Sequence, residues 1–367
     1  MQFETLRKYL RPLSWLYGAA VGARNLLYDR GLIKSQEFPL PIISVGNLTV
    51  GGTGKTPHVE YLLQLLRGAV RVAVVSRGYR RKTHGLVMAT PQSTAAQIGD
   101  EPLQMLRHFP DICLIADADR CEAVGRLMQP DILPPVGAVV LDDAYQHRRI
   151  RPGMNILLTD FSRPIFADHL LPSGNLRESF AQRRRADVVI VSKCPATLTP
   201  RGAKRFAARL DLFPRQKVFF TRMVYGEPYA LLSQQPTTLP RIAETYGLVM
   251  AVAGVARPLP FFDEIRRFAP GAECVAFGDH HDFSAADLRT MEDFIAIKPG
   301  GAVITTEKDA ARLLGMAGEM SVALRENLYV LPIQVEFLFD GQNEFNDLIL
   351  EYVGEYRKDG RVSRAAN

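Results

Sequence analysis

Residues 42–56, IISVGNLTVGGTGKT, constrain this chain more than any other stretch. An apolar run fit for one buried strand meets a glycine-rich loop, and a helical stretch opens directly after it. A phosphate group needs several N–H donors aimed at one point. Backbone comes that close only where side chains are missing, as at Gly51, Gly52 and Gly54, with Thr53 completing the loop. Lys55 then supplies a cation for the β/γ-phosphates, and the Thr56 hydroxyl can hold Mg²⁺. The stretch therefore reads as a nucleotide-binding P-loop with one departure: Thr49 stands at the motif's first glycine, and an additional Gly46-Asn47 lies upstream.

A P-loop needs a sheet around it, and the following sequence supplies one. Residues 70–76, 112–116, 137–142, 155–160 and 187–192 read as buried strands alternating with helical stretches, the pattern of a parallel sheet with helices on both faces. Ligands bind at the carboxyl ends of such strands. Four loops expected there are rich in chemistry: SRGYRRK (76–82), GDEP (99–102), LDDAYQH (141–147) and LPSGNLRES (171–179). A proline-rich patch at 226–240 marks a change of unit. Beyond it, residues 248–253, 273–277 and 302–305 read as strands of a smaller α/β unit, with Thr306 and Asp309 capping a helix. Residues 328–339 are expected to be extended and to pair with 217–223 as a two-stranded bridge. The expected division is thus 1–34, 35–225, 226–340 and a C-terminal helix and tail at 341–367.

Residues 1–34 interleave Trp15, Leu16, Tyr17, Leu26 and Leu27 with Arg7, Lys8, Arg11, Arg24 and Arg30. The uncharged run 12–23 is too short to span a bilayer, and no signal-peptide cleavage site is evident. A basic helix with aromatic and leucine side chains suits an anionic membrane surface, and it equally suits docking on its own fold. A net charge of +6 permits nucleic acid, anionic membrane or phosphorylated substrates as partners without choosing among them. The four cysteines form no C-x-x-C pair, so neither a zinc site nor a disulfide framework is signalled.

Asp142 and Asp143 end an apolar strand, where a P-loop enzyme keeps the carboxylates that hold Mg²⁺. Asp100 or Glu101 of GDEP can accept an acceptor's proton or bind the metal. Arg77 is the residue of RGYRRK nearest the strand end, and guanidinium matches phosphate bidentately. Guanine selection uses N-K-x-D after a late strand, and the comparable place reads Ser192-Lys193-Cys194-Pro195. Adenine is the expected base, and ATP the expected nucleotide.

Taken jointly, VGNLTVGGTGKTP, VSRGYRRK, GDEP, LDDAYQH, LPSGNLRES, VAGVARP, GDHHDFS and TTEKDA resemble, in this order, the tetraacyldisaccharide 4′-kinase family of bacterial lipid A synthesis. The resemblance spans about residues 10–340. It implies transfer of the γ-phosphate of ATP, with Mg²⁺, to the 4′-hydroxyl of a tetraacylated glucosamine disaccharide 1-phosphate. It also implies a monotopic protein on the cytoplasmic face of the inner membrane, with no nucleic acid and no obligate protein partner.

Carried onto this sequence, the resemblance makes Lys55 and Thr56 the nucleotide and metal residues of the P-loop and Asp142 and Asp143 the metal pair. Asp100 becomes the catalytic base, with Glu101 near the metal and His280 as the base's partner. Arg77, Tyr79, Asn175, Arg177 and Glu178 fall in motifs of the substrate cleft. Two positions depart from the pattern: Ala144 replaces a common glycine, and His281 stands beside His280. A P-loop kinase of a soluble acceptor and a membrane-tethered nucleotide switch are the competing readings, and a switch needs neither GDEP nor the distant histidine.

Overall fold

The computed structural model describes residues 9–279, 281–297 and 301–358. Its strands in chain order are β1 (Ile42–Asn47), β2 (Val72–Ser76), β3 (Val87–Met88), β4 (Cys113–Ala116), β5 (Ala138–Asp142), β6 (Met154–Asp160) and β7 (Val188–Ser192). They continue with β8 (Lys217–Tyr225), β9 (Tyr229–Ala230), β10 (Leu248–Ala253), β11 (Glu273–Ala276), β12 (Gly301–Thr306), β13 (Leu328–Leu331) and β14 (Ile333–Phe337). Among the helices are α1 (Arg11–Asp29), α2 (Lys55–Leu66), α3 (Asp100–His108), α4 (Glu307–Leu313) and α5 (Gly341–Lys358).

Among the described residues, the first sheet has nine strands in the order β14-β8-β7-β6-β1-β5-β2-β4-β3. From β4 through β8 neighbouring strands are parallel, and β3 and β14 close the two edges antiparallel. Valine, isoleucine and leucine dominate β2, β5, β6 and β7 and are buried almost throughout, as strands covered on both faces require. The P-loop strand β1 lies between β6 and β5, with Val45 beside Asp142. That register brings the glycine loop and the paired aspartates to the same edge of the sheet. The five early strands read from the sequence end where expected and start within two residues of the expected position.

The second sheet runs β11-β10-β12-β13-β9, with β9 antiparallel at its edge. The chain leaves the first sheet after β8 and returns through β14. These crossings lie side by side, with the Gly226 N–H donating to the Pro332 carbonyl at 2.9 Å. The extended stretch expected at 328–339 is therefore two strands in different sheets. Pro332 lacks an N–H for a ladder and separates β13 from β14. The expected pairing with 217–223 is present as β14 against β8, and β8 also pairs with β7, so the pair extends the first sheet.

Helix α1 docks with its polar side. Ser14 donates to the Leu170 carbonyl at 3.0 Å, Tyr17 to the Arg177 carbonyl at 2.9 Å, and Asn25 to Glu178 at 2.8 Å. Its apolar side chains face outward: Trp15 is 75% exposed, Leu16 69% and Leu13 53%. This is the reverse of a helix that buries an apolar stripe on its own fold.

Candidate active site

The loop between β1 and α2 is built for an anion. Gly51 (φ 97°) and Gly54 (φ 81°) take left-handed conformations that side chains resist. Gly54 precedes α2 without a side-chain cap, and the first turn of α2 holds no acid, so its N–H groups and dipole remain available to phosphate. The upstream Gly46 has a packing reason: a Cβ there would sit 2.7 Å from Tyr145 Cβ. Asn47 donates to the Thr53 hydroxyl at 2.8 Å, and the Ser192 hydroxyl donates to the Thr53 carbonyl at 2.8 Å. Lys193 reaches the Gly52 carbonyl and lies 3.4 Å from Asp160. The Ser-Lys that failed as a guanine motif therefore braces the P-loop.

His58, in the first turn of α2, fixes the other end. Burial pushes its imidazole down to about 4, so the ring is neutral. The Gly54 carbonyl, 2.6 Å from Nδ1, can only accept, which places the proton on Nδ1 and leaves Nε2 to accept from Thr221 at 3.0 Å.

The paired aspartates have opposite surroundings. Asp143 (φ 47°) lies 3.6 Å from the Lys55 ammonium and forms a fork with Arg177, at 2.8 and 3.2 Å. Burial alone would raise its carboxyl, but Lys55, Arg177 and Arg120 hold it at about 2. Asp142 is pushed up to about 7, first by burial and then by the charges of Glu101 and Asp143. Its Oδ2 accepts from Ser76 at 3.0 Å, while its Oδ1 is buried without a hydrogen-bond partner. An orphaned carboxylate oxygen, with two further acids close enough to penalise its charge, is a place that a divalent cation fits.

Glu101 and Asp100 open α3. Glu101 lies 3.8 Å from Lys308, and Asp100 pairs with Arg312 at 2.8 Å, both partners belonging to α4. His280 lies outside the described residues. Its neighbour His281 stacks on Phe277 and bonds Asp287 at 3.0 Å.

The expected substrate-cleft residues separate into two groups. Arg77 and Tyr79 follow β2 and are exposed. Arg177 holds Asp143 and the Asn47 side chain, and Asn175 donates to Asp168 at 3.1 Å. Glu178 is 1% exposed and takes bonds from Asn25, Gln146 and Arg185. Any influence of Glu178 on a ligand passes through those neighbours, since burial closes direct contact. Asn47, His58, Ser76, Arg120, Ser192 and Lys193 join the site although none was expected to act in it. The Arg120 guanidinium donates to the Asp142 carbonyl at 3.1 Å. Asn47, Ser76, Ser192 and Lys193 lie in stretches that the sequence marks, but nothing there announces their roles, and His58 and Arg120 carry no such mark.

The family model described as tetraacyldisaccharide-1-P 4′-kinase matches residues 6–354. A tetraacyldisaccharide 4′-kinase of Phocaeicola vulgatus is 42% identical over 360 residues, covering 98% of this chain and 97% of that protein. One from Porphyromonas gingivalis is 43% identical over 357 residues, covering 95% and 98%. A crystal structure of an "apo" form of LpxK from Aquifex aeolicus in complex with ATP is similar with a TM-score of 0.74 at 30% identity, covering 95% of this chain and 99% of that one. With matches running nearly end to end in sequence and in fold, this chain belongs to the tetraacyldisaccharide-1-P 4′-kinase family.

Proposed function

We infer that this chain transfers the γ-phosphate of ATP to the 4′-hydroxyl of a tetraacylated glucosamine disaccharide 1-phosphate. The observation that carries the reading is the junction of β1 and β5, where an uncapped glycine loop adjoins Lys55 and a buried carboxylate oxygen without a partner. The relatives' names supply the acceptor. Thr56, Asp142, Asp143 and Glu101 would hold Mg²⁺, which when bound offsets the acid cluster and neutralises charge on the phosphate oxygens. Asp143 keeps Lys55 and Arg177 oriented at the same edge. Lys55 then meets the β/γ-phosphates as charge is redistributed.

The acceptor is a sugar hydroxyl, a poor nucleophile at neutral pH. Asp100 accepts its proton as the bond to phosphorus forms, with His280 as its proposed partner. Arg77 and Tyr79 reach toward the polar head of the lipid, while Arg177, Asn175 and Glu178 set the wall behind it.

A tetraacylated acceptor stays in the bilayer, so its kinase must meet it at the interface. Among the described residues no helix is long and apolar enough to cross a membrane. Helix α1 instead offers Leu13, Trp15 and Leu16 outward and uses its polar side for docking, which suits peripheral binding to the anionic cytoplasmic face of the inner membrane. The test is incubation of the protein with Mg-ATP and the disaccharide 1-phosphate lipid in detergent. A lipid product carrying a second phosphate, formed in step with ADP, is expected. ADP release without phosphorylated lipid would overturn the assignment.

A further inference from the structure

Helix α3 belongs to the first sheet's unit and α4 to the second, and the two run past each other in opposite directions. Asp100 meets Arg312 at one end, Glu101 faces Lys308, and His108 meets Glu307 at the other end. Asp100 is thus gripped from across the junction between the two sheets.

The Arg312 grip is itself anchored. Its Nε and Nη2 each lie 2.8 Å from Asp100 Oδ2, and its Nη1 donates to Asp309 Oδ1 at 3.1 Å and to the His281 carbonyl at 3.4 Å. Asp309 is fully buried and cannot shift easily, because its other oxygen accepts from the Thr306 hydroxyl at 2.7 Å and the Gly254 N–H at 2.9 Å. A planar guanidinium held from behind by one carboxylate fixes the plane and distance of the carboxylate in front.

We propose that Arg312 is a positioning residue for phosphoryl transfer: it orients the Asp100 carboxylate toward the acceptor hydroxyl. The role rests on the reading of Asp100 as the base. It ties the base's geometry to the second unit, so Asp100 is aimed only while α4 is seated against α3. Lysine cannot replace the arginine fully, since an ammonium is a point charge and cannot bind Asp100 and Asp309 in one plane.

The experiment compares Arg312→Gln, Arg312→Lys, Asp100→Asn and the double variant Asp100→Asn/Arg312→Gln in the full-length protein. Turnover, KM for ATP and melting temperature are read for each. Misplacement of a catalytic group by about an ångström costs on the order of a hundredfold, so Arg312→Gln should lower kcat about a hundredfold with KM for ATP within about threefold. Arg312→Lys keeps Asp309 paired and the fold intact, and should lose about tenfold. In the Asp100→Asn background, Arg312→Gln should cost less than about threefold more, because the group it positions is gone. A crippled Asp100→Asn beside Arg312→Lys and Arg312→Gln proteins of near-normal kcat would overturn the positioning role alone. Full multiplication of the two losses would also overturn it. A normal kcat in Asp100→Asn would remove the base assignment, and this proposal with it.

Discussion

Asp142 and Asp143 are the same residue type on adjacent positions, yet one is driven toward the neutral form and the other held ionised. Burial pushes both carboxyls up; at Asp142 the charges of Glu101 and Asp143 add to it and outweigh Lys55, while at Asp143 Lys55 and Arg177 overcome it. The sign for stability follows. With its folded value near 7 and an ordinary carboxylate near 4 when unfolded, Asp142 binds more protons in the fold, so metal-free stability falls as pH rises from about 4 to about 7. Asp142→Asn should therefore melt higher than wild type at pH 8 without Mg²⁺, and should lose the rise in melting temperature that Mg²⁺ gives wild type. Turnover should drop by about a hundredfold or more. A variant that keeps the Mg²⁺-dependent rise would remove Asp142 from the metal site. At this scale the motif residues were legible, because GKT and a strand-ending Asp-Asp carry their chemistry in their spacing. Arg312 and His58 were not: each acts on a residue or element that only the fold brings near.

Helix α1 shows what pattern can and cannot say about an element. Its aromatic, leucine and arginine content was plain in the sequence. That its polar side is the docked side was not, because Asn25 and Ser14 find their partners more than a hundred residues away. Trp15 is the single tryptophan of the chain, so its fluorescence reports this helix alone. Its emission should shift to shorter wavelength when anionic vesicles are added, and little with neutral ones. Replacing the exposed Leu16 by Glu removes a side chain worth about 1.5–3 kcal/mol on full burial, so vesicle partitioning should fall roughly tenfold or more with turnover on detergent-dispersed lipid retained. Unchanged emission and unchanged sedimentation with vesicles would leave α1 as a structural strap.

The α3–α4 contact between the two sheets ends in a charge cluster that also takes in α2. His108 lies between Glu60 of α2 and Glu307 of α4, at 3.2 and 3.1 Å. Burial works against its charge, but hydrogen bonds to the two carboxylates and their charges hold the imidazolium up to about 10. A histidine raised from its ordinary 6.5 contributes stability that is fully present below pH 6.5 and is lost as pH rises through 10. His108→Gln should lower stability at pH 7 by about 3–5 kcal/mol, since it leaves buried carboxylates unpaired. It should also flatten the decline in melting temperature between pH 6.5 and 10. An unchanged slope would mean that other groups set that limb.

The interior strands of the first sheet were readable because burial on both faces leaves long apolar runs. Its edge was half readable: the pairing of this stretch with 217–223 was expected, but the division at Pro332, which sends β13 to the second sheet and β14 to β8, depends on contacts that sequence spacing does not encode.

In the proposed reaction the first sheet holds ATP while Asp100, on α3, takes the proton of the lipid's hydroxyl. Paired measurement of turnover and ATP affinity in Asp100→Asn tests it most directly. Loss of a general base costs about 10²–10⁴-fold, so turnover on the disaccharide 1-phosphate lipid should fall by that much while the ATP dissociation constant stays within about threefold of wild type. Turnover within tenfold of wild type, or ATP affinity lost in step with turnover, would rule Asp100 out as the base.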